Sequence, residues 1–177
     1  MPRRLAASFT LALLLTIGTR LLAQDATWRI DTNHSAAHFS VRHMMISTVR
    51  GDFGGIKGTV TFDPAQPTAA KVEATIDTTT INTGAPPRDK ELKGPDFFDV
   101  TRYPTMKFAS TRVEPAGPGQ LKITGDLTIN ATTKSVVLSV EGPSDVVKDA
   151  QGRLKRGLSA TTKINRKDFG IVWNEML

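Results

Sequence analysis

Cysteine does not occur among the 177 residues, which excludes a disulfide framework and thiolate metal sites. Aromatic side chains make up only 6%, too few for the two interfacial girdles of an outer-membrane barrel. No run of like charge appears. The net charge of +6 overstates the basicity: residues 1–23 hold Arg3, Arg4 and Arg20 and no acid, leaving 20 basic and 17 acidic side chains beyond them. That mild excess gives no reason to expect nucleic acid as a partner. A Gly-x-Ser-x-Gly elbow, a Walker phosphate loop and a dinucleotide fingerprint are also missing.

The longest apolar run, residues 5–18, falls short of the ~20 residues that a membrane helix needs. It follows Arg3-Arg4 and precedes a small residue, Ala23. This pattern is that of a secretory signal peptide over residues 1–23. Residues 24–177 are then one exported domain, with the periplasm as its expected address. A domain of that size buries enough apolar surface to fold without disulfides.

What the sequence does have is a period of two. In residues 121–129 the odd positions are Leu121, Ile123, Gly125, Leu127 and Ile129. Lys122, Thr124, Asp126 and Thr128 lie between them. One face is apolar and the other charged or hydroxylated, as a half-buried antiparallel strand requires. The same alternation runs through Val72, Ala74 and Ile76, through Val136, Leu138 and Val140, and through Leu158, Ala160, Thr162 and Ile164. Strands are expected near 27–31, 36–43, 48–56, 58–63, 69–78, 105–114, 120–129, 133–145 and 154–165. The turn signals between them, such as Gly54-Gly55, Asn130-Ala131 and Gly142-Pro143, argue an all-β sandwich or barrel.

Residues 88–108 break this pattern. Pro86-Pro87 can open a short helix and Gly94-Pro95 can close it, so the segment 85–100 is the one expected helical insertion. Arg88 offers a planar fork suited to phosphate or carboxylate, beside Asp89. Phe97 and Phe98, flanked by Asp96 and Asp99, must bury together, either as core or as the lining of a cavity mouth. Three histidines, His34, His38 and His43, fall within ten residues, which raises a metal-binding protein or a histidine-based enzyme as an alternative. On a strand, however, positions 38 and 43 point to opposite faces, and no carboxylate pattern completes a zinc or iron site. His34 follows a turn signal and is the one histidine kept as a site candidate.

Four ordered segments carry a resemblance. They are WRIDTNHSAAHFSVRHMMISTVRGDFGGIKGTVTFD, INTGAPPRDKELKGPDFFDVTRYPTMKF, GDLTINATTKSVVLSV and INRKDFGIVWN. Together they cover nearly all of residues 27–174, and the chain resembles the YceI-like family of exported lipid-binding proteins. The resemblance implies a lipocalin-like antiparallel β-barrel of about eight strands. Its apolar cavity would hold a polyisoprenoid or other long-chain lipid, with no catalytic residue, no metal and no other cofactor. The expected ligand-binding residues are Phe39, Phe53, Phe97, Phe98, Phe108, Ile123 and Leu127 along the apolar interior, and His34, Arg88 and Asp89 near a polar head. Alternation alone does not separate cavity lining from ordinary core. Transient membrane contact and a homodimer are compatible with such a carrier. The chain departs from the family pattern twice. Glu91 stands where a histidine is common after Arg-Asp-x. One further strand commonly follows Trp-Asn, so a chain ending at Leu177 is expected to leave an open sheet edge; either the sequence is truncated, or another segment or chain completes the sheet.

Overall fold

The computed structural model describes residues 26–43 and 46–173; the expected signal peptide lies outside them. Eleven strands form: β1 (Ala26–Arg29), β2 (Ala37–His43), β3 (Ser47–Phe53), β4 (Lys57–Phe62), β5 (Lys71–Asp77), β6 (Thr105–Gly117), β7 (Gln120–Ile129), β8 (Thr132–Glu141), β9 (Val147–Lys148), β10 (Leu154–Lys155) and β11 (Ser159–Thr161). Seven make one antiparallel sheet in the order β1-β4-β5-β6-β7-β8-β11, while β2 pairs with β3 and β9 with β10. The sheet curls into a half-barrel, and the β2–β3 hairpin is tied to the segment that follows β5 by a bridge between Asp52 and Asn82. This is the all-β architecture that the alternation predicts, in the lipocalin-like form that the family resemblance implies.

The strands follow the alternation. On β7, Leu121, Ile123, Gly125 and Ile129 are buried while Lys122 and Asp126 are exposed. On β6 the apolar positions change parity, from Met106 and Phe108 to Val113. A β-bulge between Ser110 and Arg112 absorbs the change, so that Val113 still pairs with Ile123 and all three side chains are buried. The extra residue of a bulge shifts every later side chain to the other face; without it, Val113 would face solvent.

Two aromatic rings fill space that a glycine leaves on the neighbouring strand. Phe39 on β2 sits opposite Gly51 on β3, and a Cβ on Gly51 would come 2.6 Å from the Phe39 ring tip. The Phe108 ring reaches diagonally over Gly125, whose own partner is Ser110, and a Cβ there would also meet the Ala109 carbonyl. Glycine is required at both positions by close approach, and each ring gains a flat bed in return.

The expected helix appears as α1 (Pro86–Leu92), with proline at its first positions. A chain of turns then leads through Asp99, whose φ is 42°, into Pro104 and β6. Thr78, 1% exposed, receives this segment: its N–H donates to the Pro104 carbonyl and its hydroxyl to the Tyr103 carbonyl.

The main departure from expectation is the single strand near 154–165. It divides into β10 and β11, because the Lys155 side chain is drawn to Asp31 and Gly157 exchanges hydrogen bonds with Ser144. The strand near 133–145 likewise stops at Glu141, ahead of Gly142-Pro143, since proline cannot donate to a ladder. The strand near 48–56 stops at Phe53 because Gly55 turns with a φ of 63°.

Candidate functional site: the concave face and its two ends

The apolar faces of the strands point to the inside of the curl and meet there in two clusters. One holds Phe62, Ala70, Phe108, Val113, Leu121, Ile123 and Val140. The other holds Phe53, Ile81, Met106, Ile129, Phe169 and Ile171. Leu127 and Val136 pack against both, so the two clusters are ends of one continuous apolar face.

The end covered by α1 collects most of the expected lining residues. Phe39 and Phe53 stack with centroids 5.4 Å apart, and Phe53 meets Phe98 edge-on at 5.2 Å. Phe97 lies against Trp173 at 5.3 Å, and its carbonyl accepts a hydrogen bond from the Asn130 side chain. The Asn130 backbone, with a φ of 53°, makes the tight turn between β7 and β8. The turn and the Phe97–Phe98 segment are thereby fixed to each other. Phe108 and Ile123 belong to the other cluster, and Leu127 joins the two.

Arg88 and Asp89 come together on one residue. The Asp89 carboxylate accepts from the Thr83 N–H at 2.9 Å and from its hydroxyl at 2.5 Å. Arg88 Nε donates to the Thr83 hydroxyl and Nη2 to the Thr83 carbonyl. This bracket holds α1 onto the strand-like segment that follows residue 80. His34 lies elsewhere, in the turn between β1 and β2, with its side chain 82% exposed and Nδ1 2.9 Å from Asp31. His38 is an exposed β2 residue, and the His43 side chain lies outside the described set. Among the described residues no three His, Asp or Glu side chains are grouped to hold a metal.

Sequence reasoning misses two features. The first is a groove of about 750 Å3 along the β8 edge, between that strand and residues 161–169, lined in part by Val136, Val137, Thr162, Ile164 and Phe169. None of the ten expected ligand-binding residues lines it. The alternation through Leu158 to Ile164 is its one signal in the sequence, and it reads there as an ordinary strand. The second is the end of the concave face opposite α1. Trp28 pairs with Val60 and so shares its inward face. The Arg156 guanidinium lies over the rings of Trp28 and Phe62, 5.6 and 5.2 Å from their centroids. Close by, Asp31 binds Lys155 at 2.5 Å as well as His34. The hydrogen bond from Lys155, then that from His34, hold the Asp31 carboxyl well below its usual range.

A curled antiparallel sheet with a continuous apolar concave face and a helix over one end defines the lipocalin-like class. Comparison with known proteins narrows this. The chain belongs to the YceI-like domain family, matching it over residues 28–177. It is 40% identical to Protein YceI of Shigella flexneri over 153 residues, 84% of this chain and 78% of that protein. It is 36% identical to a UPF0312 protein of Vibrio cholerae over 151 residues, 84% of this chain and 79% of the relative. Among solved structures it is similar to the Campylobacter jejuni YCEI protein, with 36% identity and a TM-score of 0.63 over 80% of this chain and 82% of that one. Burkholderia cenocepacia BcnA aligns at 25% identity with a TM-score of 0.66, over 78% and 82% of the two chains.

Proposed function

We propose that this protein is a periplasmic carrier that holds a long-chain lipid, isoprenoid-type or fatty, against its concave face and does no chemistry on it. One observation carries the reading: the inward face is apolar on every major strand, yet among the described residues it is left open on the β11 side. Ala160 lies opposite Val140 in the ladder. Val140 is 4% exposed, whereas Ala160 is exposed, as are Leu158 and Ile164 on the same alternation. A face that is buried at β8 and bare one strand later offers an unfilled apolar surface, continuous with the groove along β8. Each buried CH₂ of a ligand contributes ~0.8 kcal/mol, so a long hydrocarbon needs few polar contacts to bind there. Binding rather than catalysis also suits the charged groups at the two ends. Asp89 and Arg88 are engaged with Thr83, and Asp31 with Lys155 and His34.

Export is supported by the signal-like residues 1–23, and a carrier of this kind would touch the membrane transiently when it loads. Native mass spectrometry after mild purification tests the reading. The expected result is a co-purifying or added long-chain lipid bound one to one. A protein that retains no lipid and takes up none on addition would overturn it.

A further inference from the structure

At the end of the concave face opposite α1, two groups have donors without a protein acceptor among the described residues: the buried Trp28 indole N–H, and the half-buried Arg156 guanidinium, whose outer N–H groups reach solvent. The Trp28 indole Nε1 is buried and has no hydrogen-bond partner. Arg156, half-buried, donates one hydrogen bond, from Nε to the Ser144 carbonyl at 2.9 Å. Among the described residues its remaining N–H groups meet no acceptor and no carboxylate forms an ion pair with it. Buried polar groups are ordinarily satisfied, and a guanidinium drawn out of bulk water ordinarily has a carboxylate or several carbonyls around it.

The two donors share one place. Trp28 faces inward beside Val60, Phe62 is part of the adjoining apolar cluster, and the Arg156 guanidinium covers both rings. The neighbouring acids are already engaged. Asp31 is bound to Lys155 and His34, and the Asp63 carboxylate accepts from the Ala65 N–H at 2.8 Å. What this end lacks is oxygen acceptors carrying negative charge, set at the end of an apolar track.

We propose that the Trp28–Arg156 end is the head-group site, and that it takes the oxyanion (carboxylate or phosphate) of a single-chain amphiphile whose hydrocarbon lies along the concave face. This rests on the lipid-carrier reading and adds to it a location and a charge. The guanidinium supplies a planar fork for two oxygens. The indole N–H supplies a further donor in the same patch, since the guanidinium lies over its ring, and it would donate to an oxygen at ~2.9 Å. The aromatic faces below the guanidinium keep it oriented when the ligand is absent.

The test uses delipidated protein loaded with Nile red, an uncharged apolar probe, which is displaced by oleate, geranylgeranyl diphosphate or oleylamine. The two anions separate carboxylate from phosphate; the amine has a chain like that of oleate and the opposite charge. In the wild type at least one anion is expected to displace the probe about tenfold more effectively than the amine, the scale of a charge-assisted hydrogen bond. Arg156→Met, which keeps the stem, is expected to abolish that preference while Nile red still binds. Arg156→Lys is expected to keep most of it, and Trp28→Phe, which removes only the N–H and part of the ring, to weaken the anion by about threefold. If Nile red binds but anion and amine compete equally, or if Arg156→Met keeps the preference, the head-group site is overturned and the carrier reading stands. If wild-type protein binds neither probe nor lipid, the carrier reading fails and the site with it.

Discussion

Lys155 Nζ lies 2.5 Å from Asp31 Oδ2, across 124 residues of chain. Asp31 follows β1, the first strand in the order of the curled sheet, and Lys155 belongs to the β9–β10 hairpin that leads into β11, the last. Neighbouring residues reinforce the junction, since Arg156, next to Lys155, lies over the ring of Trp28, three residues before Asp31. The curl is therefore closed at this end by side chains, not by a ladder of backbone hydrogen bonds.

The junction should make the fold sensitive to acid. Its Lys155 and His34 partners hold the Asp31 carboxyl below the ordinary carboxylate value of 3.8. A group whose folded pKa is depressed contributes stability above its unfolded pKa and loses that contribution as pH falls toward the folded value. In urea melts, wild type should exceed Asp31→Asn by a constant margin from about pH 5 upward, and the margin should shrink below about pH 4. Because the pair is partly exposed, the margin should also shrink in high salt. A margin independent of both pH and salt would mean that Asp31 acts through packing and not through charge.

Gly125 should not tolerate a side chain. An alanine Cβ would meet both the Phe108 ring and the Ala109 carbonyl, and the backbone contact cannot be relieved by a rotamer change. Gly125→Ala is expected to cost about 1–3 kcal/mol or more in equilibrium unfolding. Gly51→Ala, facing the Phe39 ring and the Asn82 carbonyl, should behave alike. The double variant Gly125→Ala/Phe108→Leu should recover part of the loss if the ring is the main obstacle.

Asp89 accepts two hydrogen bonds from Thr83, so Asp89→Ala removes both and leaves the Thr83 N–H without its partner. A loss of about 1–3 kcal/mol is expected, together with faster amide hydrogen exchange in α1 and residues 82–84. Since α1 packs through Leu92 on the cluster that contains Phe53, this loosening should spread to that end of the concave face. Exchange in the β7–β8 ladder should be unchanged.

The strands were legible wherever one period of two met one buried face. β7 and β5 read directly, and so did α1, because Pro86-Pro87 and Gly94-Pro95 bracket it. The change of parity in β6 was not legible: nothing in residues 109–112 announces an extra residue, and only the need to bury Phe108 and Val113 together forces the bulge. Residues 158–164 alternate much as β7 does, yet the expected strand over 154–165 breaks in two, because tertiary contacts from Lys155 and Gly157 outweigh a local pattern. The aromatic residues of the candidate site were legible as apolar and inward, but alternation left core and cavity lining undivided. Arg156 and Trp28 were legible only as a basic residue and a motif letter. They are brought together by the closure of the sheet, which no local spacing encodes.

The two groups of inward apolar residues should separate by experiment. Ile123 is 5% exposed within a packed cluster, so Ile123→Ala should cost about 2–5 kcal/mol through lost burial and a cavity. Leu158 and Ile164 are 49% and 39% exposed, and a polar residue there removes little that the folded protein has already buried. Leu158→Ser and Ile164→Ser should therefore shift the unfolding free energy by no more than about 0.5 kcal/mol. If these side chains lie under the hydrocarbon of a bound lipid, each substitution should nonetheless weaken binding by roughly fourfold to fifteenfold, the value of one to two buried CH₂ groups. Isothermal titration of the delipidated variants, beside urea melts of the same samples, checks both quantities at once. Unchanged affinity in Leu158→Ser and Ile164→Ser would place the hydrocarbon on some other part of the concave face.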